Sequence, residues 1–274
     1  MNALDKIFDT LHQNVKEGKL YEALMQYKSL YSRYVRRSPT HGLSIITDGC
    51  TLLSQEKDLN AFYGLVDFYV KILTAKKEAV TEEEVNPLLA IKNTPIDKEK
   101  EKALEEIFEL CQRNKLSAIS NTFAMEMCLV NVKLNNIQKA VNYSIGNVKL
   151  FESVMKEIEQ SETVKHEHVY LLTTLKTLLV EPKLARNLYS FVESNYKGIL
   201  GTRESQASVL LTVLVMKVVE QIDPLDKICE AFGKAEGAFK DVFETCKEDV
   251  GMLKAKYFTP QKERTQFNPF IQPH

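Results

Sequence analysis

Residues 20–35, LYEALMQYKSLYSRYV, carry the pattern on which the fold of this chain turns. Apolar side chains recur at Leu20, Leu24, Tyr27, Tyr31 and Tyr34, and Ala23 and Leu30 widen the stripe. Steps of three and four place them on one side of a helix with 3.6 residues per turn. Glu22, Gln26, Ser29, Arg33 and Arg37 take the same steps around the opposite side. One helix cannot leave that much aromatic and leucine surface in water, so the neighbouring sequence must supply helices to cover it.

It does. Leu4, Ile7, Phe8, Leu11 and Val15 form one face of a first helix over residues 3–16. Glu17-Gly18-Lys19 is a short stop in which glycine suits the left-handed conformation after a helix end. The first two helices are therefore expected to pair as an antiparallel hairpin, with Tyr27 and Tyr31 inside it. Further helices are expected at about 41–54, 58–75, 98–113, 116–132, 135–145, 147–160 and 164–180. Thr81-Glu82-Glu83-Glu84 has the spacing of a capping box and predicts another helix start, closing before Asn93-Thr94-Pro95. Glu181-Pro182 and Asp223-Pro224 predict two more starts, with proline in the first turn. Lys197-Gly198-Ile199-Leu200-Gly201 marks a break, and a last long helix is expected over 235–256. No stretch alternates as a strand does. Roughly fourteen helices in successive hairpins predict an all-α solenoid of stacked antiparallel hairpins, similar to a tetratricopeptide array but without its consensus. A compact bundle of this size would need more long-range crossovers. One solenoid is expected over 1–258, with halves at 1–160 and 161–258, followed by a flexible tail over 259–274.

The 274 residues are 44% apolar and 27% charged, with net charge −1 and no tryptophan. That balance offers no bulk attraction to nucleic acid. Charge is uneven, however. Residues 1–77 hold eleven Lys or Arg against eight Asp or Glu, a net +3, and residues 78–109 hold four against ten, a net −6. The basic excess centres on Lys16, Lys19, Lys28, Arg33, Arg36 and Arg37. It reads either as a solvated face or as a docking surface for an acidic protein.

Residues 1–16 show no signal-peptide pattern, because Asp5, Lys6 and Asp9 interrupt the apolar positions. Residues 209–219 form the longest nearly continuous apolar run, too short to span a bilayer and interrupted by Lys217. Five widely spaced cysteines without a CxxC pair read as reduced thiols in helix cores of a cytosolic protein.

Catalytic patterns are missing: there is no glycine-rich phosphate loop, no GxSxG and no HExxH. His166-Glu167-His168 invites a metal reading. Residues two apart on a helix point about 200° from each other, and no further ligand lies at a suitable spacing. A solvated helix start accounts for it better. A Ser-His-Asp triad assembles across a fold and leaves no local spacing to search for. The composition thus favours a non-enzymatic interaction protein with no cofactor and no metal, over an all-α hydrolase or metal enzyme.

SVLLTVLVMKVV, residues 208–219, has apolar residues around the whole helix, with Thr212 and Lys217 as interruptions. It reads as a helix buried on every side, or as one wall of a hydrophobic groove that takes a partner helix. Asn268-Pro269-Phe270 resembles the tripeptide read by EH domains, a match short enough to arise by chance.

One resemblance spans most of these features. Glu17-Gly18-Lys19-Leu20-Tyr21-Glu22-Ala23, continuing to Tyr31-Ser32-Arg33-Tyr34, resembles the Golgi-to-ER traffic protein 4 family. Its members carry Gly-x-Tyr-Tyr-Glu-Ala and then an aromatic or leucine-rich half ending in Arg-Tyr. Leu20 here replaces the first tyrosine. More loosely, Asn60-Ala61-Phe62-Tyr63-Gly64-Leu65-Val66 is similar to a segment where the family has Asp in place of Asn60. Residues 135–157, 206–219 and Tyr257-Phe258-Thr259-Pro260-Gln261-Lys262 also resemble family segments.

The resemblance implies a cytosolic adaptor for inserting tail-anchored proteins into the ER membrane. Its N-terminal half would dock the targeting ATPase through Lys16, Lys19, Tyr21, Glu22, Arg33, Arg36 and Arg37. Its C-terminal half would hold a ubiquitin-like-domain protein of the Golgi-to-ER traffic protein 5 type, through Val209, Leu210, Val213, Leu214 and Met216. That partner would in turn recruit a tetratricopeptide co-chaperone. No nucleic acid and no direct membrane insertion are implied. A different α-solenoid scaffold, of a vesicle coat or a proteolytic assembly, is the alternative within the same class.

Overall fold

A computed structural model describes residues 3–159 and 164–259. Every regular element among them is helical, and the chain divides into two compact units, residues 1–135 and 136–274. The halves expected from the sequence place residues 136–160 with the first. The expected tail lies, but for Thr259, outside the described residues, as does the Asn-Pro-Phe tripeptide.

The first unit begins with α1 (Ala3–Lys16) and α2 (Leu20–Tyr34). Gly18 has φ +74° between them, and the backbone N–H groups of Gly18 and Lys19 donate to Val15 and Asn14 at 2.9 Å. Those bonds satisfy carbonyls that the end of α1 leaves open. α3 (Pro39–Leu53) and α4 (Asn60–Ala75) cover the tyrosine stripe. Tyr27 is 0% exposed and Tyr31 is buried, its ring edge-on to Tyr69 with centroids 5.6 Å apart. The close approach of α3 to Tyr27 and Leu65 depends on Gly49: a Cβ there would lie 2.7 Å from a Leu65 methyl and about 3 Å from the Tyr27 ring.

The capping box forms as expected. The Thr81 hydroxyl accepts from Glu84 N, and the Glu84 carboxylate accepts from Thr81 N. The helix it opens is a single turn, α5 (Glu82–Val85), which tightens into a 3₁₀ segment (Asn86–Asn93) where Pro87 lacks the N–H that an α-helix needs. α6 (Lys98–Arg113) and α7 (Ser117–Lys133) complete the unit. Lys100 is 1% exposed, and its ammonium meets Glu126 of α7 at 2.8 Å and the Thr94 carbonyl at 2.8 Å. The charge thus ties the end of the 3₁₀ segment to both helices.

The second unit contains α8 (Ile137–Ser144), α9 (Val148–Ile158), α10 (His166–Val180), α11 (Leu184–Asn195), a 3₁₀ turn (Lys197–Ile199), α12 (Arg203–Val219), α13 (Leu225–Ala238), α14 (Lys240–Glu244) and α15 (Lys247–Tyr257). α10 is its axis, packing against α8, α9, α11, α12 and α15. Nine of its residues between Val169 and Leu178 are buried. The helix buried on every side is therefore α10. α12, the sequence's candidate, leaves Val213 47% exposed and Val209 and Leu210 half-buried.

Three other expectations change. Pro182 lies outside α11, which starts at Leu184. Asp223 does not cap α13; its carboxylate pairs instead with Lys217 at 2.7 Å. The last long helix is broken at Phe239 and Cys246, whose backbones leave the helical region at φ −114° and −129°. Just before the second break, the Thr245 hydroxyl donates to the Val242 carbonyl at 2.7 Å, a local bond that competes with helix continuation.

Candidate interaction surfaces

Two grooves stand out, one in each unit. In the first unit, α1 and α2 leave between them a furrow of about 420 Å³. Ile7, Leu11 and Leu30 form its apolar floor, and Lys6 and Arg33 stand at its edge. Neither cation has an ion-pair partner among the described residues.

All seven residues expected to form the basic face are exposed, but they do not gather into one patch. Lys16, Lys19, Tyr21 and Glu22 lie around the turn between α1 and α2, and Arg33, Arg36 and Arg37 at the far end of α2. A helix of 15 residues puts those ends about 22 Å apart. Lys19 is also occupied: Glu17 lies 2.7 Å away, and its hydrogen bond raises the Lys19 pKa and lowers its own. Tyr21, 72% exposed, and Met25 lie one turn apart on α2, outside the furrow. Lys6 and Ile7 were not read from the sequence as part of a binding surface, because only the hairpin brings them beside Arg33.

In the second unit, α11 and α12 border an apolar groove of about 520 Å³. Val209, Val213 and Met216 of α12 line it as expected, facing Tyr189 and Ser190 of α11. Leu210 and Leu214 turn elsewhere, and Leu214 is buried. Ile222, beyond the end of α12, extends the apolar surface and is exposed. The charges at the rim neutralise one another. Arg186 donates to both Glu220 oxygens, at 2.9 and 3.1 Å, and Lys217 pairs with Asp223. The α11 wall was missed in the sequence, although Tyr189 stands in helical register with Arg186 and Glu193, an aromatic on a polar face.

Other polar clusters are structural. His12 and Tyr27 both bind Asp48, at 2.9 and 2.6 Å, which joins α1, α2 and α3. Burial pushes the Tyr27 hydroxyl well above the ordinary tyrosine range, so it stays a neutral donor. All five cysteines are thiols rather than disulfides. Burial pushes Cys50 and Cys128 up to about 12 and Cys111 up to about 11, the reverse of what nucleophilic cysteines need. His166 opens α10, with its ring nitrogen 3.1 Å from the Met155 carbonyl. No group of three or more His, Cys, Asp or Glu among the described residues could hold a metal ion. No described helix is long and apolar enough to cross a membrane.

No family model matches the chain, and no curated protein does either. A solved structure does. The crystal structure of Get4 from C. thermophilum superposes with a TM-score of 0.63, over 99% of this chain and 97% of that one, at 12% sequence identity. The chain has the Get4 fold. At that identity the likeness lies in the fold and not in the side chains. The Get4 fold agrees with the resemblance carried by residues 17–34, and with the all-α solenoid predicted from helix spacing.

Proposed function

We propose that this protein is a non-enzymatic adaptor in the post-translational targeting of tail-anchored proteins to the ER membrane, working in the cytosol. The first unit would dock a targeting ATPase and the second a ubiquitin-like-domain protein, which brings a co-chaperone with it. The observation that carries the reading is the Get4 fold running through nearly the whole of both chains. The two grooves support it with different chemistry. Cations without an ion-pair partner among the described residues, at the α1–α2 furrow, suit an acidic partner, where charge mainly sets encounter rate and specificity. The apolar floor and self-paired rim of the α11–α12 groove suit a neutral apolar segment. Such an interface gains roughly 25 cal/mol per Å² of apolar area removed from water.

The test mixes the full chain with a recombinant ubiquitin-like-domain partner and a tail-anchored-protein targeting ATPase, and follows both by calorimetry. Both should bind at once. Raising salt from 0.1 to 0.5 M should release the ATPase and spare the ubiquitin-like protein. Failure of both proteins to bind would return the molecule to the wider class of helical scaffolds.

A further inference from the structure

The corner between α2 and α3 carries a serine whose hydroxyl the fold does not use. Residues 36–39 read Arg-Arg-Ser-Pro. The backbone N–H groups of Arg37 and Ser38 both donate to the Tyr34 carbonyl, at 2.9 and 2.8 Å, which closes α2. α3 then passes tightly over the corner, since a Cβ on Gly42 would lie 3.1 Å from the Val35 Cα. The backbone of Ser38 is thereby set in the extended region, at φ −152° and ψ 94°.

Serine at the N-cap of a helix ordinarily gives its oxygen to an N–H of the first turn. Ser38 does not. Its side chain makes no cap hydrogen bond, and its oxygen lies 3.1 Å from the Thr40 hydroxyl in a solvent-exposed contact. The N–H groups of Thr40 and His41 are among those that a helix start leaves open. Arg36 and Arg37 are exposed and have no ion-pair partner among the described residues. The chain has three serine or threonine residues followed by proline. Thr94 is buried and donates to the Ile91 carbonyl at 2.8 Å, and Thr259 donates to the Lys254 carbonyl at 3.1 Å. Of the three, Ser38 alone makes no side-chain bond to the main chain.

We propose that Ser38 is the acceptor of a proline-directed protein kinase, and that its phosphate is a switch on docking at the first unit. The Ser38 oxygen bonds to the γ-phosphorus of ATP, and the bond from that phosphorus to the β-phosphate oxygen breaks. ADP leaves, and the hydroxyl proton passes to the kinase. Arg36, Arg37 and the open N–H groups of α3 then hold the phosphate by charge-assisted hydrogen bonds. The phosphate carries about −1.5 to −2, so the net +3 of residues 1–77 falls to about +1. A weaker field slows encounter with an acidic partner. The switch deepens the proposed function and rests on it, whereas the modification itself does not.

The experiment treats the full chain with a mitogen-activated protein kinase and magnesium ATP, followed by mass mapping. The chain carries Thr259→Ala, so that the count reports on Ser38. Phosphate should appear at Ser38 on the folded protein, and Ser38→Ala should remove it. Phosphorus NMR then titrates the product. An unrestrained phosphoserine has a second pKa of about 6. Held by two guanidinium groups it should fall below about 5.5, and Arg36→Gln with Arg37→Gln should bring it back. In stopped flow at about 0.1 M salt, the phosphorylated chain should associate with the targeting ATPase several-fold more slowly than the unmodified one. No phosphate at Ser38, or one that titrates at about 6 with or without the arginines, would overturn the site. Unchanged association would overturn the switch. An ATPase that binds neither form would end the docking reading and the switch together, while the site stands or falls on the first two measurements.

Discussion

The two grooves differ less in size than in how their charges are settled. At α1–α2, Lys6 and Arg33 face solvent beside an apolar floor. At α11–α12, Arg186 is held by Glu220 and Lys217 by Asp223. One surface advertises a long-range field and the other hides its charges and leaves only apolar area. The interiors beneath them differ as well. The first unit is braced by tyrosines whose hydroxyls are fixed, Tyr27 on Asp48 and Tyr69 on the Glu84 carbonyl. The second is built around α10, whose core residues include Thr173, Thr174 and Thr177. Each unit thus presents its own kind of surface, resting on its own internal support.

The largest expected effect separates the two units outright. Tyr27→Ala would leave a cavity under α1–α2 and cost about 3–5 kcal/mol, by analogy with other aromatic truncations in cores. Denaturant titration with hydrogen exchange should show the loss confined to the first unit, while the α11–α12 groove keeps its ligand. A loss under about 1 kcal/mol would mean that the stripe is not the support of that furrow.

Next in size is Val213→Asp, which should weaken binding in the second groove at least tenfold, about 1.4 kcal/mol, with little change in stability. Calorimetry at 0.1 and 0.5 M salt should give nearly the same affinity for the unsubstituted groove. A steep salt dependence there would erase the contrast. Smaller again is the paired reversal Lys6→Glu with Arg33→Glu. It should slow association at the α1–α2 furrow several-fold in stopped flow and flatten its salt dependence, while dissociation changes little. Unchanged association would show that these cations are ordinary solvated charges.

A last effect appears only in alkali. Burial raises the pKa of Tyr27 and Tyr69 far above the value of about 10 in an unfolded chain. Below pH 10 both states keep the phenol proton, so the contribution is fully present. Above it the unfolded chain releases protons that the folded chain retains, and stability falls by up to about 1.4 kcal/mol per pH unit for each group. The first unit should therefore soften between pH 10 and 11 more than the second, where Tyr170 is pushed up to about 12. Tyr69→Phe should reduce that difference in denaturation at pH 8 and 11.

Much of the fold is legible before any coordinates, because period and punctuation are local. Leu24, Tyr27 and Tyr31 are buried where their spacing puts them, and Gly18 takes the left-handed turn. Reading a residue as polar by its side chain alone is what misplaced the central helix of the second unit. Thr173 returns its hydroxyl to the Val169 carbonyl at 2.8 Å and needs no water, so threonine sits in the core of α10. The uniformly apolar α12, by contrast, has an open side. The sites were harder to read, since each groove has two walls and only one was locally conspicuous. The basic run along the first two helices looked like a single face, yet a straight helix carries its ends apart.

The cysteines turn this architecture into a self-reporting one. At pH 8, a thiol pushed up to about 12 is thiolate in roughly one molecule in ten thousand, and a buried one meets no reagent until its surroundings open. Cys50, Cys111 and Cys128 lie in the first unit and Cys246 in the second, while Cys229 is only half-buried. Alkylation followed by mass mapping therefore times the breathing of each unit separately, within one unmodified molecule and under native conditions.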